Sequence, residues 1–110
     1  MIVEVICSTL AYMGYYSTFD MISSDIDNAV EVLNSILENT GGAPFFEPDG
    51  RGDNSTKWYD WLVDLQLIAD AYPDKFMIIE RCGEESPDIS RAVIKHGTVT
   101  EYTPRIVWDY

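Results

Sequence analysis

The first 50 residues hold eight carboxylates and no Lys or Arg, whereas residues 51 to 110 hold eleven carboxylates and all seven basic side chains. Half a chain without a cation has no ion pairs of its own to make, so its acids face water or the cations of another molecule. Unpaired carboxylates attract a basic surface over roughly a Debye length, about 8 Å at physiological ionic strength. They can also occupy positions that phosphates fill in a nucleic-acid-binding groove. Asp27, Glu31 and Glu38, with Glu47, Asp49 and Asp53 further along, are the residues expected to make such a contact. The formal charge of −12 makes bare nucleic acid a poor partner and points to the basic groove of a nucleic-acid-binding protein instead.

Other chemistry is sparsely represented. Cys7 and Cys82 stand far apart with no Cys-x-x-Cys; they read as reduced buried thiols, with a disulfide between neighbouring strands as the alternative. His96, the only histidine, precedes Gly97 and reads as a turn residue. Asp49, Asp53, Glu84, Glu85 and Asp88 offer oxygen ligands for Mg²⁺ or Ca²⁺, but Asp49-Gly50-Arg51-Gly52-Asp53 lacks the order of a calcium loop. Arg51-Gly52-Asp53 spells an adhesion tripeptide by chance. No phosphate-binding Gly-rich loop, nucleophile elbow or Ser/His/Asp set is present. No metal, no cofactor and no enzymatic activity are expected.

The elements that position these residues follow from periodicity. Residues 2 to 7, Ile-Val-Glu-Val-Ile-Cys, predict a strand that extends towards Tyr12, and residues 13 to 23 predict an aromatic-rich loop. Ser24 with Asp27 resembles a capping box before a helix whose apolar positions are Ile26, Ala29, Val30, Leu33, Ile36 and Leu37; Gly41-Gly42 stops it. At ~100° per residue these span about 120°, and Asp27, Glu31 and Glu38 fall on the opposite side as a carboxylate stripe. Residues 43 to 56 predict a long loop or a short edge strand around Phe45 and Phe46.

Thr56 is placed to cap a second helix, carried by Trp58, Trp61, Leu62, Leu65, Ile68, Ala69 and Tyr72 and ended by Pro73. Tyr59, Val63 and Leu67 recur four residues apart on its other side, a second apolar stripe that either the 13 to 23 loop or the C-terminal tail covers, or that binds a partner. An antiparallel meander follows: residues 76 to 82, 89 to 95 and 98 to 103, with His96-Gly97 as the last turn and Pro104 as a break. Residues 105 to 108 pair further or fold back. The whole reads as a single α+β domain over residues 1 to 110, an antiparallel sheet with two helices on one face in the split βαβ manner of ferredoxin-like domains. The start Met1-Ile2-Val3-Glu4 lacks a basic lead and no stretch is long enough to span a bilayer, so a cytoplasmic protein with no membrane partner is expected.

From Ser55-Thr56-Lys57-Trp58-Tyr59-Asp60 through Tyr72-Pro73, Gly83-Glu84-Glu85 and His96-Gly97, residues 55 to 100, the chain resembles the C-terminal part of small ferredoxin-like proteins of phages and mobile elements. The resemblance covers about half the chain. It implies a setting in which small acidic proteins inhibit host defence, as anti-CRISPR and anti-restriction proteins do by imitating nucleic-acid charge. The expected function is therefore a phage-type inhibitor of a basic nucleic-acid-binding surface, acting in the host cytoplasm. The alternative is a non-enzymatic interaction or immunity-type domain, a homodimer included, that uses Tyr59, Val63 and Leu67.

Overall fold

A computed structural model describes residues 15 to 85 and 88 to 104. Six elements follow in order: β1 (Ser17–Ser24), α1 (Ala29–Leu37), α2 (Trp61–Ala71), β2 (Met77–Gly83), β3 (Ile89–Lys95) and β4 (Thr98–Tyr102). The strands form one antiparallel sheet in the order β1-β2-β3-β4. The fold is α+β, a four-stranded antiparallel sheet with two helices, and is compatible with the ferredoxin-like split βαβ arrangement expected from the sequence. Ser24 at the end of β1 pairs with Met77 at the start of β2, so the chain between them leaves and returns at one end of the sheet.

Strand alternation fixes which face is covered. Phe19 of β1, Met77 and Ile79 of β2, and Ala92 and Ile94 of β3 point to one side and are buried. Leu33 and Leu37 of α1, and Trp61, Leu65, Ile68 and Ala69 of α2, close on them in a single core. Phe19 sits at its centre, 5.0 Å from the Trp58 ring in an edge-on contact and 5.5 Å from the Trp61 ring. Side chains of this size contribute about 1.5–3 kcal/mol each on burial, which explains why the apolar stripe of α2, rather than helix propensity, holds it in place.

Several boundaries differ from the sequence reading. Residues 17 to 23 of the segment expected as a loop over residues 13 to 23 lie in β1. Its sequence, Ser-Thr-Phe-Asp-Met-Ile-Ser-Ser, shows weak alternation, and it is a strand because it is paired on both sides, by β2 and by residues 50 to 56. The register slips between Met21 and Ser23, which turns Ile22 outward.

Ser24 does not cap α1. Its hydroxyl donates to the Phe76 carbonyl at 2.8 Å and accepts from the Ile26 N–H at 3.1 Å, while the residue before the helix is Asn28, in the left-handed region at φ 55°. Thr56 does not cap α2 either; Asp60 precedes that helix, and Thr56 exchanges two backbone hydrogen bonds with Ser17 at 2.8 Å. The Thr56 hydroxyl is buried and has no hydrogen-bond partner among the described residues.

The meander is as expected, to within a residue. His96 (φ 53°) and Gly97 (φ 74°) both lie at positive φ, the geometry of a two-residue turn that matches the twist of its strands. Cys82 is a half-buried free thiol on β2, and burial pushes its pKa up. The strand expected over residues 2 to 7, with Cys7, and the segment 105 to 108 lie outside the described residues. Among the described residues no helix is long and apolar enough to cross a membrane.

Candidate acidic interface

Residues 45 to 53 form a small hairpin. The Glu47 carbonyl accepts from Gly50 N–H at 2.8 Å, closing a turn with Pro48 at its second position, where a fixed φ suits it. Glu47 N–H donates to Arg51 at 2.7 Å and Asp53 N–H to Phe45 at 2.9 Å, so Phe46 stands opposite Gly52. Of the long loop or short edge strand expected here, the structure shows a loop with isolated bridges, Phe46 to Gly52 and Asp20 to Arg51, and no regular strand.

The hairpin is fastened at two places. On one side Met21 N–H donates to the Gly50 carbonyl at 2.7 Å and Gly52 N–H to the Phe19 carbonyl at 2.8 Å, which continues the sheet past β1. On the other, Asn34 of α1 donates its amide to the Phe46 carbonyl at 2.9 Å and accepts from the Phe46 N–H at 2.8 Å. One side-chain amide thus satisfies both backbone groups of a wholly buried residue. α1 and the hairpin become one surface.

Between them lies a groove of about 360 Å³, whose lining includes Ala29, Val30, Glu31, Phe45, Phe46 and Pro48. Of the six carboxylates singled out from sequence, Glu31 borders this groove, and Asp27 and Glu47 neighbour its lining residues Asn28, Phe46 and Pro48. Asp27 and Glu31 also share the rim of a second depression that reaches Ile36 and Tyr72. Glu38 follows the last residue of α1, about 10 Å along the axis from Glu31. Asp53 is exposed at the far end of the hairpin. The expected helical stripe is therefore corrected in part: only Glu31 is inside α1, with Asp27 before it and Glu38 after it.

Asp49 departs from the expectation of an unpaired acid. Its Oδ2 accepts from Arg51 Nε at 2.9 Å and its Oδ1 from the Arg51 backbone N–H at 3.1 Å. The backbone bond first, and then the guanidinium, hold its carboxyl below the usual carboxylate range. The other five acids, Asp27, Glu31, Glu38, Glu47 and Asp53, are exposed and form no ion pair among the described residues.

The apolar stripe on the second helix is also redrawn. Tyr59 precedes α2, which starts at Trp61, so only Val63 and Leu67 lie on the helix itself. Val63 is 71% exposed and Leu67 45%. Residues 17 to 23 of the segment that was one expected cover are instead committed to the sheet in β1.

A second polar constellation was not legible in the sequence as a cluster. Arg81 of β2 points to the covered face of the sheet, where its guanidinium holds Asp88 at 2.6 and 3.1 Å, Ser17 at 3.2 Å and Ser90 at 3.1 Å. The Tyr15 hydroxyl donates to Asp88 at 2.6 Å and accepts from the Glu85 N–H at 3.1 Å. The available signal was the alternation Met77, Ile79, Arg81: a cation on the inner face needs a carboxylate, and the following turn supplies acids. The Asp88 oxygens are thus engaged by protein groups, and no group of three or more His, Cys, Asp or Glu is arranged to hold a metal ion among the described residues.

The Arg81 hydrogen bonds first, with Tyr15 adding to them against some burial, hold the Asp88 carboxyl below its ordinary value. A depressed carboxylate contributes stability that is complete above the unfolded value of about 3.9 and is lost as pH falls through the lower folded value. Burial, then the bond to Asp88, raises the Tyr15 phenol, whose contribution is complete below about pH 10 and is lost above it. Asp88→Asn is expected to cost about 1–2 kcal/mol at neutral pH, a figure kept small because the Asp88 side chain is 36% exposed. Urea denaturation from pH 6 down to 2 should show the variant losing less stability with acid than the parent; parallel curves would dismiss the role of this pair.

No family model matches the chain, and no curated protein and no solved structure matches it either.

Proposed function

We propose that the protein is a non-enzymatic inhibitor that occupies the basic nucleic-acid-binding surface of another protein, in the manner of anti-CRISPR or anti-restriction proteins, with α1 and the 45–53 hairpin as its contact face. The observation that carries this reading is the five exposed carboxylates without an ion pair among the described residues, on two segments fastened together by Asn34. Nothing in the stability of the domain calls for them. Glu38 lies at a helix C-terminus, where a negative charge is unfavourable by about 0.3–1 kcal/mol. A fixed array of negative charge speeds encounter with a cationic groove and matches the phosphates that groove was built to hold.

The test is capture of partners on the immobilised protein at low and moderate salt, followed by elution with duplex DNA or RNA. The expected result is a nucleic-acid-binding partner released by nucleic acid. Glu31→Lys combined with Glu47→Lys should slow association by about tenfold or more at low salt. Binding indifferent to salt and to competing nucleic acid would overturn the reading.

The exposure of Val63 and Leu67 favours a second reading, self-association through α2. Sedimentation should then show a dimer at micromolar concentration that Val63→Asp dissociates; a monomer unchanged by the substitution would remove this reading.

A further inference from the structure

Resting on that reading of the acidic face, we propose that the groove between α1 and the hairpin is an arginine socket: it takes an arginine side chain of the partner, stacked on Phe45 and paired with Glu31.

Charge mimicry alone needs only carboxylates, yet the rim of this groove carries a phenyl ring. Phe45 is 57% exposed, while Phe46 beside it is fully buried and its backbone is clamped by Asn34. The ring is therefore presented by a fixed backbone and is not a loose loop residue. The lining beside it is mostly apolar, from Met21, Ala29, Val30, Phe46 and the exposed Pro48, with Asn28 and Asn34, and the one acid in it, Glu31, has no ion pair among the described residues.

These three features select among cations. A lysine ammonium is compact and strongly hydrated, and loses more than it gains beside a mostly apolar lining. A guanidinium is flat and weakly hydrated, stacks on an aromatic face and donates two parallel N–H bonds to one carboxylate. The methylene stem of the same arginine covers apolar surface as it enters. The volume, about 360 Å³, is at the small end of the range for ligand pockets, about 300–1,000 Å³, and suits one or two side chains better than a whole element. Arg51, the basic residue on the hairpin itself, is held by Asp49 at 2.9 Å and so does not supply the missing partner of Glu31.

The test uses the full chain and two probes, octa-arginine and octa-lysine, titrated by calorimetry at low and physiological salt. Octa-arginine is expected to bind about fivefold more tightly than octa-lysine at the same ionic strength. Phe45→Ala and Phe45→Leu should each bring that ratio close to one without changing the salt dependence, and their unfolding midpoints should confirm that they fold. Glu31→Gln should weaken octa-arginine more than octa-lysine. Equal affinity for the two peptides in the parent, or an arginine preference that survives both Phe45 variants, would overturn the socket. If the two bind equally and the combined charge reversal at Glu31 and Glu47 abolishes both, the acidic face stands and only the socket falls. Absence of binding by either peptide at low salt would sink the inhibitor reading and the socket together.

Discussion

Asn34→Ala is expected to cost about 3 kcal/mol and to loosen the acidic face as a unit. The substitution removes both hydrogen bonds to Phe46, at 2.9 and 2.8 Å, and leaves a buried N–H and a buried carbonyl without partners. Each orphaned group carries a penalty of about 1–3 kcal/mol, reduced by whatever water the relaxed hairpin admits. Denaturant unfolding reads the loss, and hydrogen exchange at the Phe46 amide reads its location. Asn34→Asp provides a graded control: an ionised carboxylate still accepts from the Phe46 N–H but opposes the Phe46 carbonyl, so it should fall between parent and alanine. An alanine variant with unchanged stability and a protected Phe46 amide would show that the clamp is not what unites α1 and the hairpin.

Gly50→Ala is expected to cost about 2–4 kcal/mol by a different route. Gly50 lies at φ 93°, where an L side chain is strained, and an added Cβ would overlap the Met21 carbonyl oxygen. The Met21 N–H to Gly50 carbonyl bond, 2.7 Å, keeps these backbones in contact, so the clash cannot be relieved without lifting the hairpin from β1. Gly52→Ala should behave alike, because its Cβ would overlap the Phe19 carbonyl oxygen. Gly41 has nothing within 4 Å of its Cβ position, so Gly41→Ala should be close to neutral. Thermal melts of the three variants are a direct check; a Gly50 variant as stable as the Gly41 variant would refute the account.

Asn34 and Gly50 hold the same surface in place by separate means. Asn34 ties the hairpin to a helix through side-chain hydrogen bonds, whereas Gly50 ties it to a strand through backbone proximity. A partner that binds the acidic face should lose affinity with either substitution although neither changes the net charge.

How much of this was legible beforehand depended on the range of the interaction. α2 is written in the spacing of Trp61, Leu65, Ile68 and Ala69, and the β3–β4 hairpin in His96-Gly97 between alternating strands. β1 was not, because Ser17-Thr18-Phe19-Asp20 carries little local preference and becomes a strand through partners 31 to 66 residues away. Asp49 was read correctly as a loop acid and incorrectly as unpaired, since its neighbour two residues on reaches back to it.

The sequence by itself determined the charge asymmetry, the α+β class and the helix and hairpin with regular periods, because these depend on composition and on residues within one or two turns of each other. The tertiary structure alone decided that Asn34 would clamp Phe46, that Gly50 and Gly52 would sit against β1, and that Arg81 would gather Asp88, Ser17 and Ser90. Those contacts are made by single side chains and backbone groups distant along the chain, and only the packing of the core brings them within hydrogen-bonding reach.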